Sequence, residues 1–252
     1  VKNKLAWCLL AGSSLLFSMG VTAQQPTVLV EVDGEFQGYF EQPRLATVLA
    51  PLAMDANKYW PGARLYRLQP EEIAKAEQLR VDIAEQLRVL AIYWKDEAQV
   101  AAALMELRAQ LNRWRLAKPV NVLLDPDAVR INPALNPKLD MGNYLLQVKA
   151  RPNFLTFVSL GGDQFIKHQA DLPVYSYLAQ LTQNRWTDSD TVYWIVNGQP
   201  PVVVPVASWN RNQQAVTPGS LVFVPIPSWV LTEATQKLNQ QLLQLLQFRV
   251  TK

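Results

Sequence analysis

The chain has 252 residues, 49% of them hydrophobic and 18% charged, with 24 basic residues, 21 acidic residues, one histidine and one cysteine. That is the balance of an ordinary globular protein, and a formal charge of +3 is too small to point to nucleic acid or an anionic surface. One histidine and one cysteine exclude a disulfide framework and any metal site built on those residue types.

Lys2 and Lys4 precede an apolar stretch from Leu5 to Val21, which closes on Val21-Thr22-Ala23. A basic start, a short apolar run and small residues at the last and third-last positions predict a secretory signal peptide over residues 1–23, cleaved after Ala23. Cleavage takes Cys8, Lys2 and Lys4 with it, leaving 22 basic against 21 acidic residues, no cysteine and no membrane-spanning segment.

Residues 24–152 form the first expected domain. Val28, Val30 and Val32 alternate with Leu29 and Glu31, Asp33-Gly34 supplies a turn, and Phe36 to Phe40 returns, which predicts a β-hairpin. Leu45 to Leu49 suits a short helix stopped by Pro51, and Tyr59-Trp60-Pro61-Gly62-Ala63 is a turn leading into a strand through Arg67. From Pro70 the period changes: Leu79, Ile83, Leu87, Leu90 and Trp94 mark one helical stripe, and Val100, Leu104, Leu107, Leu111 and Trp114 a second. Asp96 is the expected cap between them, and Pro119 stops the second helix, so a helical hairpin is inserted at about 70–117. Val120 to Leu124 is expected to resume β structure, and the strand after Gly142 closes the domain near Pro152.

Residues 153–230 repeat the order without the insertion. Phe154 to Leu160 and Gln164 to His168 flank the turn Gly161-Gly162-Asp163. A short helix falls within Leu172 to Leu181, then strands at Val192 to Val196 and Val202 to Trp209, separated by the turn Asn197-Gly198. The run Pro218-Gly219-Ser220-Leu221-Val222-Phe223-Val224-Pro225-Ile226-Pro227 reads as a buried closing strand. It matches the strand after Gly142 in the first domain. Residues 231–252 form a C-terminal amphipathic helix with leucine on one face and amides on the other, expected to pack on the second domain. The class is α+β, two tandem small domains with a helical hairpin insertion in the first.

Nucleophilic catalysis would have to run through His168, which lies in a predicted strand with no G-x-S-x-G elsewhere, and no phosphate-binding glycine loop is present. Asp125 with Asp127, and Asp188 with Asp190, are the carboxylate pairs that could flank a glycosidic bond, although both lie where aspartate commonly bonds its own backbone. Trp94 and Trp114 fall on apolar helix stripes and Trp194 sits mid-strand, so all three read as core. Trp60, Trp186 and Trp209 stand beside polar or turn residues, where an indole could stack on a sugar with arginine as donor; the candidate ligand site is therefore Trp60, Arg64, Arg67, Arg185, Trp186 and Trp209. Packing is the competing role for each tryptophan. No catalytic residue, metal ligand or cofactor is assigned. A working surface is expected in the turns and at the junction near Arg151-Pro152.

The signal peptide, Val30-Glu31-Val32-Asp33-Gly34, Tyr59-Trp60-Pro61-Gly62-Ala63, the helical insertion, Pro218-Gly219-Ser220-Leu221-Val222-Phe223-Val224-Pro225 and the terminal helix come in an order that resembles the GfcC-type capsule biosynthesis family. The resemblance covers essentially all of residues 24–252. It implies two tandem β-grasp domains, similar to the soluble-ligand-binding β-grasp domains of polysaccharide exporters without their membrane-spanning part. It also implies a periplasmic, non-catalytic accessory protein of a Gram-negative bacterium, acting in capsule or exopolysaccharide assembly or export on polysaccharide or export proteins. Two alternatives stay open: a polysaccharide-modifying enzyme using Asp125 or Asp188, and a scaffold that docks a partner through the terminal helix.

Overall fold

A computed structural model of the chain describes residues 25–181, 190–196 and 199–251. The expected signal peptide, Arg185, Trp186, Asp188 and the Asn197-Gly198 turn lie outside the described residues.

The alternation of Val28, Val30 and Val32 makes β1 (Val28–Val32), all three side chains buried, and Asp33-Gly34 turns it into β2 (Glu35–Tyr39) with both turn residues at positive φ. Helix α1 (Leu45–Leu49) follows. Pro51 does not stop it but opens a 3-10 turn over Ala50–Leu52, since a missing N–H is tolerated in a first turn. A second 3-10 turn at Trp60–Gly62 leads into β3 (Arg64–Arg67).

The insertion is α2 (Pro70–Tyr93) and α3 (Ala98–Leu111). Pro70 sits at the first position with Glu71 and Glu72 behind it, where the missing N–H and the negative charge are both favourable. The cap of α3 is Glu97 rather than Asp96, and no side chain bonds there. Strand β4 is only Lys118–Pro119, paired with β3. Val120 to Leu124 does not continue it as a strand. The chain instead enters α4 (Pro126–Ile131), which the sequence pattern had not marked; Asp125 caps it by accepting from the Asp127 and Ala128 amides. Strand β5 (Gly142–Gln147) completes a sheet of order β2-β1-β5-β3-β4, with β1 and β5 parallel at its centre.

The second unit repeats this plan with β6 (Phe154–Ser159), β7 (Gly162–Lys167), α5 (Val174–Leu178), β8 (Thr191–Ile195), β9 (Val202–Pro205) and β10 (Leu221–Phe223). Its order, β7-β6-β10-β8-β9, is that of the first sheet strand for strand, so β10 occupies the place of β5. Both sheets have the β-grasp arrangement, and the class is α+β. Gly142 and Gly219 enter the two equivalent strands at φ +136° and +79°.

The two units differ in what covers them. One face of the first sheet packs on α1 and α4 through Val28, Val30, Leu65 and Leu146. One face of the second packs on α5 through Leu155, Phe157, Val222 and Val224. Its other face, carrying Val158, Leu160, Leu221 and Phe223, packs against α2, α3 and the terminal helix α6 (Leu238–Phe248) in a single core. Thr232 and Thr235 form a capping box in a turn ahead of α6, so the helix starts later than its sequence pattern suggested. Leu238, Leu242, Leu245 and Leu246 are buried, each contributing roughly 1.5–3 kcal/mol by removal from water. The helix therefore lies between the insertion and the second sheet rather than on the second unit alone. Trp94 Nε1 donates to the Val230 carbonyl at 2.8 Å and Gln86 to Gln241 at 2.8 Å, fastening the insertion to the C-terminal segment. Beyond α6 the tail pairs with the chain leaving α3: Ala117 N donates to Phe248 O at 2.8 Å, and Val250 N to Arg115 O at 2.9 Å.

Replacing Leu242, fully buried at this junction, by alanine is expected to cost about 2–5 kcal/mol. Urea unfolding followed by circular dichroism should show the loss as one lowered transition, because the same core contains residues of both units.

Candidate functional site

Side chains alternate across a strand, and the phase decides what faces the other unit. On β3, Leu65 enters the first core, so Arg64 and Tyr66 point the opposite way. On β5, Leu146 is in that core and Leu145 and Gln147 are on the far side. On β6, Leu155 and Phe157 face α5, leaving Phe154 and Thr156 on the face shared with Val158. On β7, Ile166 faces α5, leaving Asp163 and Phe165 on the other side. The two sheets thus turn these faces toward each other, and the helical layer fills part of the space between them. The remainder is an open cleft.

Its first arm, about 400 Å³, is lined by Tyr59, Arg64 and Gln147 from the first unit and by Phe154, Phe165 and Gly219 from the second. A second arm, about 570 Å³, shares Arg64 and Gly219 and adds Trp60, Asn121, Trp194 and Gln199. A third, about 520 Å³, shares Lys149, Phe165 and Arg249 with the first and adds Gln110, Arg113 and Arg115. Pro152 lines the first arm, so the cleft opens beside the inter-unit junction.

Arg249 is 7% exposed and stands at the base of the first and third arms. Its Nη1 donates to Asp163 Oδ1 at 2.9 Å, and its Nη2 also pairs with Asp163. The guanidinium lies 4.3 Å from the centre of the Trp114 ring, and the Arg249 backbone carbonyl accepts from the Tyr66 hydroxyl at 3.3 Å. Gln110 accepts from the Asp163 amide. Arg115 pairs with Glu31 at 3.0 Å. Tyr59 is held by its amide, which donates to Lys149 O at 2.7 Å, and by the Arg151 guanidinium 5.8 Å from its ring centre.

Of the residues expected from sequence to bind a ligand, the structure brings Trp60 and Arg64 together on the second arm. Arg67 lies on the opposite face of β3, bonded to Asp140 at 3.3 Å and to the Met141 carbonyl at 2.9 Å. Burial pushes the neighbouring Tyr144 phenol up, with Arg67 pulling in the other direction. Trp209 is 75% exposed and lines none of the three arms. Trp194, expected in the core, is half-buried and reaches the second arm. Lys149, Phe154, Phe165 and Arg249 were not singled out from sequence. Strand phase relative to the cores was the available signal for Phe154 and Phe165, and nothing local marked Arg249.

His168 Nε2 lies 3.0 Å from the Val216 carbonyl, away from these arms. Among the described residues, no group of three histidine, cysteine, aspartate or glutamate side chains could hold a metal, and no helix is long and apolar enough to cross a membrane.

Fold and cleft together define a two-unit α+β protein whose facing sheets hold an open groove of aromatic rings, amides and cations. The family model described as capsule biosynthesis GfcC, N-terminal, matches residues 24–151, and the one described as capsule biosynthesis GfcC C-terminal matches residues 161–251. The chain belongs to the GfcC capsule biosynthesis family. It is also 34% identical over 215 residues to the uncharacterized protein YjbG of Escherichia coli (strain K12), a match covering 83% of this chain and 80% of that one.

Gly219 gives a direct test of the cleft wall. At φ +79°, a Cβ there would lie 2.6 Å from Pro152 Cγ, whereas at Gly34, with φ +88°, nothing lies within 4 Å. Gly34→Ala is expected to cost about 1–2 kcal/mol for backbone conformation alone. Gly219→Ala should cost measurably more in thermal unfolding, the excess reporting the contact with Pro152.

Proposed function

We propose that the protein is a periplasmic, non-catalytic accessory of capsule or exopolysaccharide assembly or export, and that it binds polysaccharide in the cleft between its two sheets. Family membership sets the pathway class. The observation that carries the binding reading is the meeting of Trp60 and Trp194 on one arm with Arg64, Asn121 and Gln199. Indole faces suit the C–H faces of a sugar ring, and amides and guanidinium groups supply donors and acceptors for its hydroxyls. The basic and apolar run ahead of Gln24 supports export from the cytoplasm.

Two features favour binding over hydrolysis or helix docking. Asp125 is held as the cap of α4, and Asp127 pairs with Arg130 at 3.2 Å, so both carboxylates have structural roles. The apolar stripe of α6 is buried within the chain.

Titration with capsular oligosaccharide, followed by tryptophan fluorescence and calorimetry, is expected to show binding that Trp60→Ala weakens at least about tenfold, or about 1.4 kcal/mol. A parallel titration with the periplasmic domains of the capsule exporter tests the protein-partner arm. Absence of binding to both would sink the proposal.

A further inference from the structure

We propose that the glycan taken by this cleft is anionic, and that Arg64 is the residue that reads its carboxylate or phosphate oxygens. The inference rests on the saccharide-binding reading above and names the class of saccharide.

The basis is a contrast among the arginines of the first sheet and the cleft. Arg67 is bonded to Asp140 and Met141, Arg115 to Glu31, and Arg249 to Asp163. Arg64 is half-buried, and its guanidinium has no ion-pair or hydrogen-bond partner among the described residues. A partly desolvated charge without a counter-charge is unfavourable, and the cation finds relief when an anion arrives. The strand phase aims Arg64 at the second unit, directly across from Gln147 on β5, so a donor-rich pair lies side by side on the cleft wall. Arg64 is also common to the first and second arms, which places it beside both the Trp60–Trp194 surface and the Tyr59–Phe154–Phe165 surface.

The surrounding charge has the same sign. Lys149, two residues beyond Gln147, lines the first and third arms and likewise has no anionic partner among the described residues. The acidic groups lining the arms are already engaged: Asp163 by Arg249, and Asp125 by the α4 amides. A planar guanidinium presents two parallel donors matched to a carboxylate or phosphate, whereas a neutral sugar hydroxyl would leave the charge uncompensated.

The test is calorimetric titration with tetragalacturonate, maltotetraose and a glucose phosphate, at low and high ionic strength, on the wild-type chain, Arg64→Gln and Lys149→Gln. Anionic probes are expected to bind more tightly than maltotetraose and to weaken with salt. Arg64→Gln should weaken them at least about tenfold and Lys149→Gln about threefold, each loss clearly exceeding the one for maltotetraose. Preference for tetragalacturonate identifies a carboxylate, and preference for the glucose phosphate a phosphate. Because the Arg64 guanidinium has no partner to lose, the variant should keep the wild-type unfolding midpoint; exposed Lys149 gives an independent arm should it not. If maltotetraose binds as well as tetragalacturonate, or Arg64→Gln leaves both anionic probes within twofold of wild type, the anionic assignment is overturned while saccharide binding stands. If neither these probes nor capsular oligosaccharide bind, both readings fall.

Discussion

A guanidinium that is almost completely removed from water must find a counter-charge, donors' partners and a polarisable surface, and Arg249 finds all three. Asp163 comes from the start of β7 and Trp114 from the end of the insertion, while the Tyr66 hydroxyl, from the first sheet, donates to the Arg249 backbone carbonyl and ties the same residue to the other unit. Removing either charge would strand the other, and a broken buried pair typically costs about 3–5 kcal/mol. The relative placement of the two sheets, and with it the width of the cleft, depends on this convergence. Gln110 of α3, accepting from the Asp163 amide, adds a second tie from the insertion to the start of β7.

The pairing also explains why a cleft exists at all. Each β-grasp sheet has two faces, and one helix covers only one of them. The second sheet's remaining face is apolar, with Val158, Leu221 and Phe223, and the inserted helices and α6 bury it. The first sheet's corresponding face is mixed: Tyr66 and Leu145 are covered by Ala117 and Val250, whereas Arg64 and Gln147 are not. Aromatic residues of the second sheet's rim, Phe154 and Phe165, then stand opposite polar residues of the first. Their rings pack edge to face at 5.5 Å.

Much of this was legible in sequence because it is local. The Asp33-Gly34 and Gly162 turns, the period change at Pro70 and the leucine stripe of α6 each follow from a few adjacent residues, and the internal match between Gly142 and Gly219 disclosed the tandem plan. Where the structure departs from the sequence pattern, or spreads residues the pattern grouped, the causes are physical. Val120 to Leu124 is apolar enough for a strand, but Pro119 cannot donate to a ladder and Pro126 preorganises a helix, so α4 forms with Asp125 as its cap. Arg67 is the same residue type on the same strand as Arg64, yet the three-position offset between them is odd and puts it on the opposite face. Trp209 has the polar neighbours of a binding tryptophan but sits outside the cleft. Arg249 is invisible locally because its partners are 86 and 135 residues away in the chain, at Asp163 and Trp114.

The stitch between the tail and residues 115–117 has a consequence for the order in which the chain can fold. The exit from α3 into β4 is completed by the Phe248 carbonyl and the Val250 amide, which follow the whole second unit in the chain. The first unit therefore cannot reach its final hydrogen-bond pattern until the second unit and α6 have been made, and its inserted helices lack their apolar cover for as long. Contacts of such long sequence separation are slow to form, and the leucine faces of α2 and α3 stay exposed meanwhile. Two domains that look independent in sequence are thereby joined into one cooperative folding unit, with the earlier half waiting on the end of the later one.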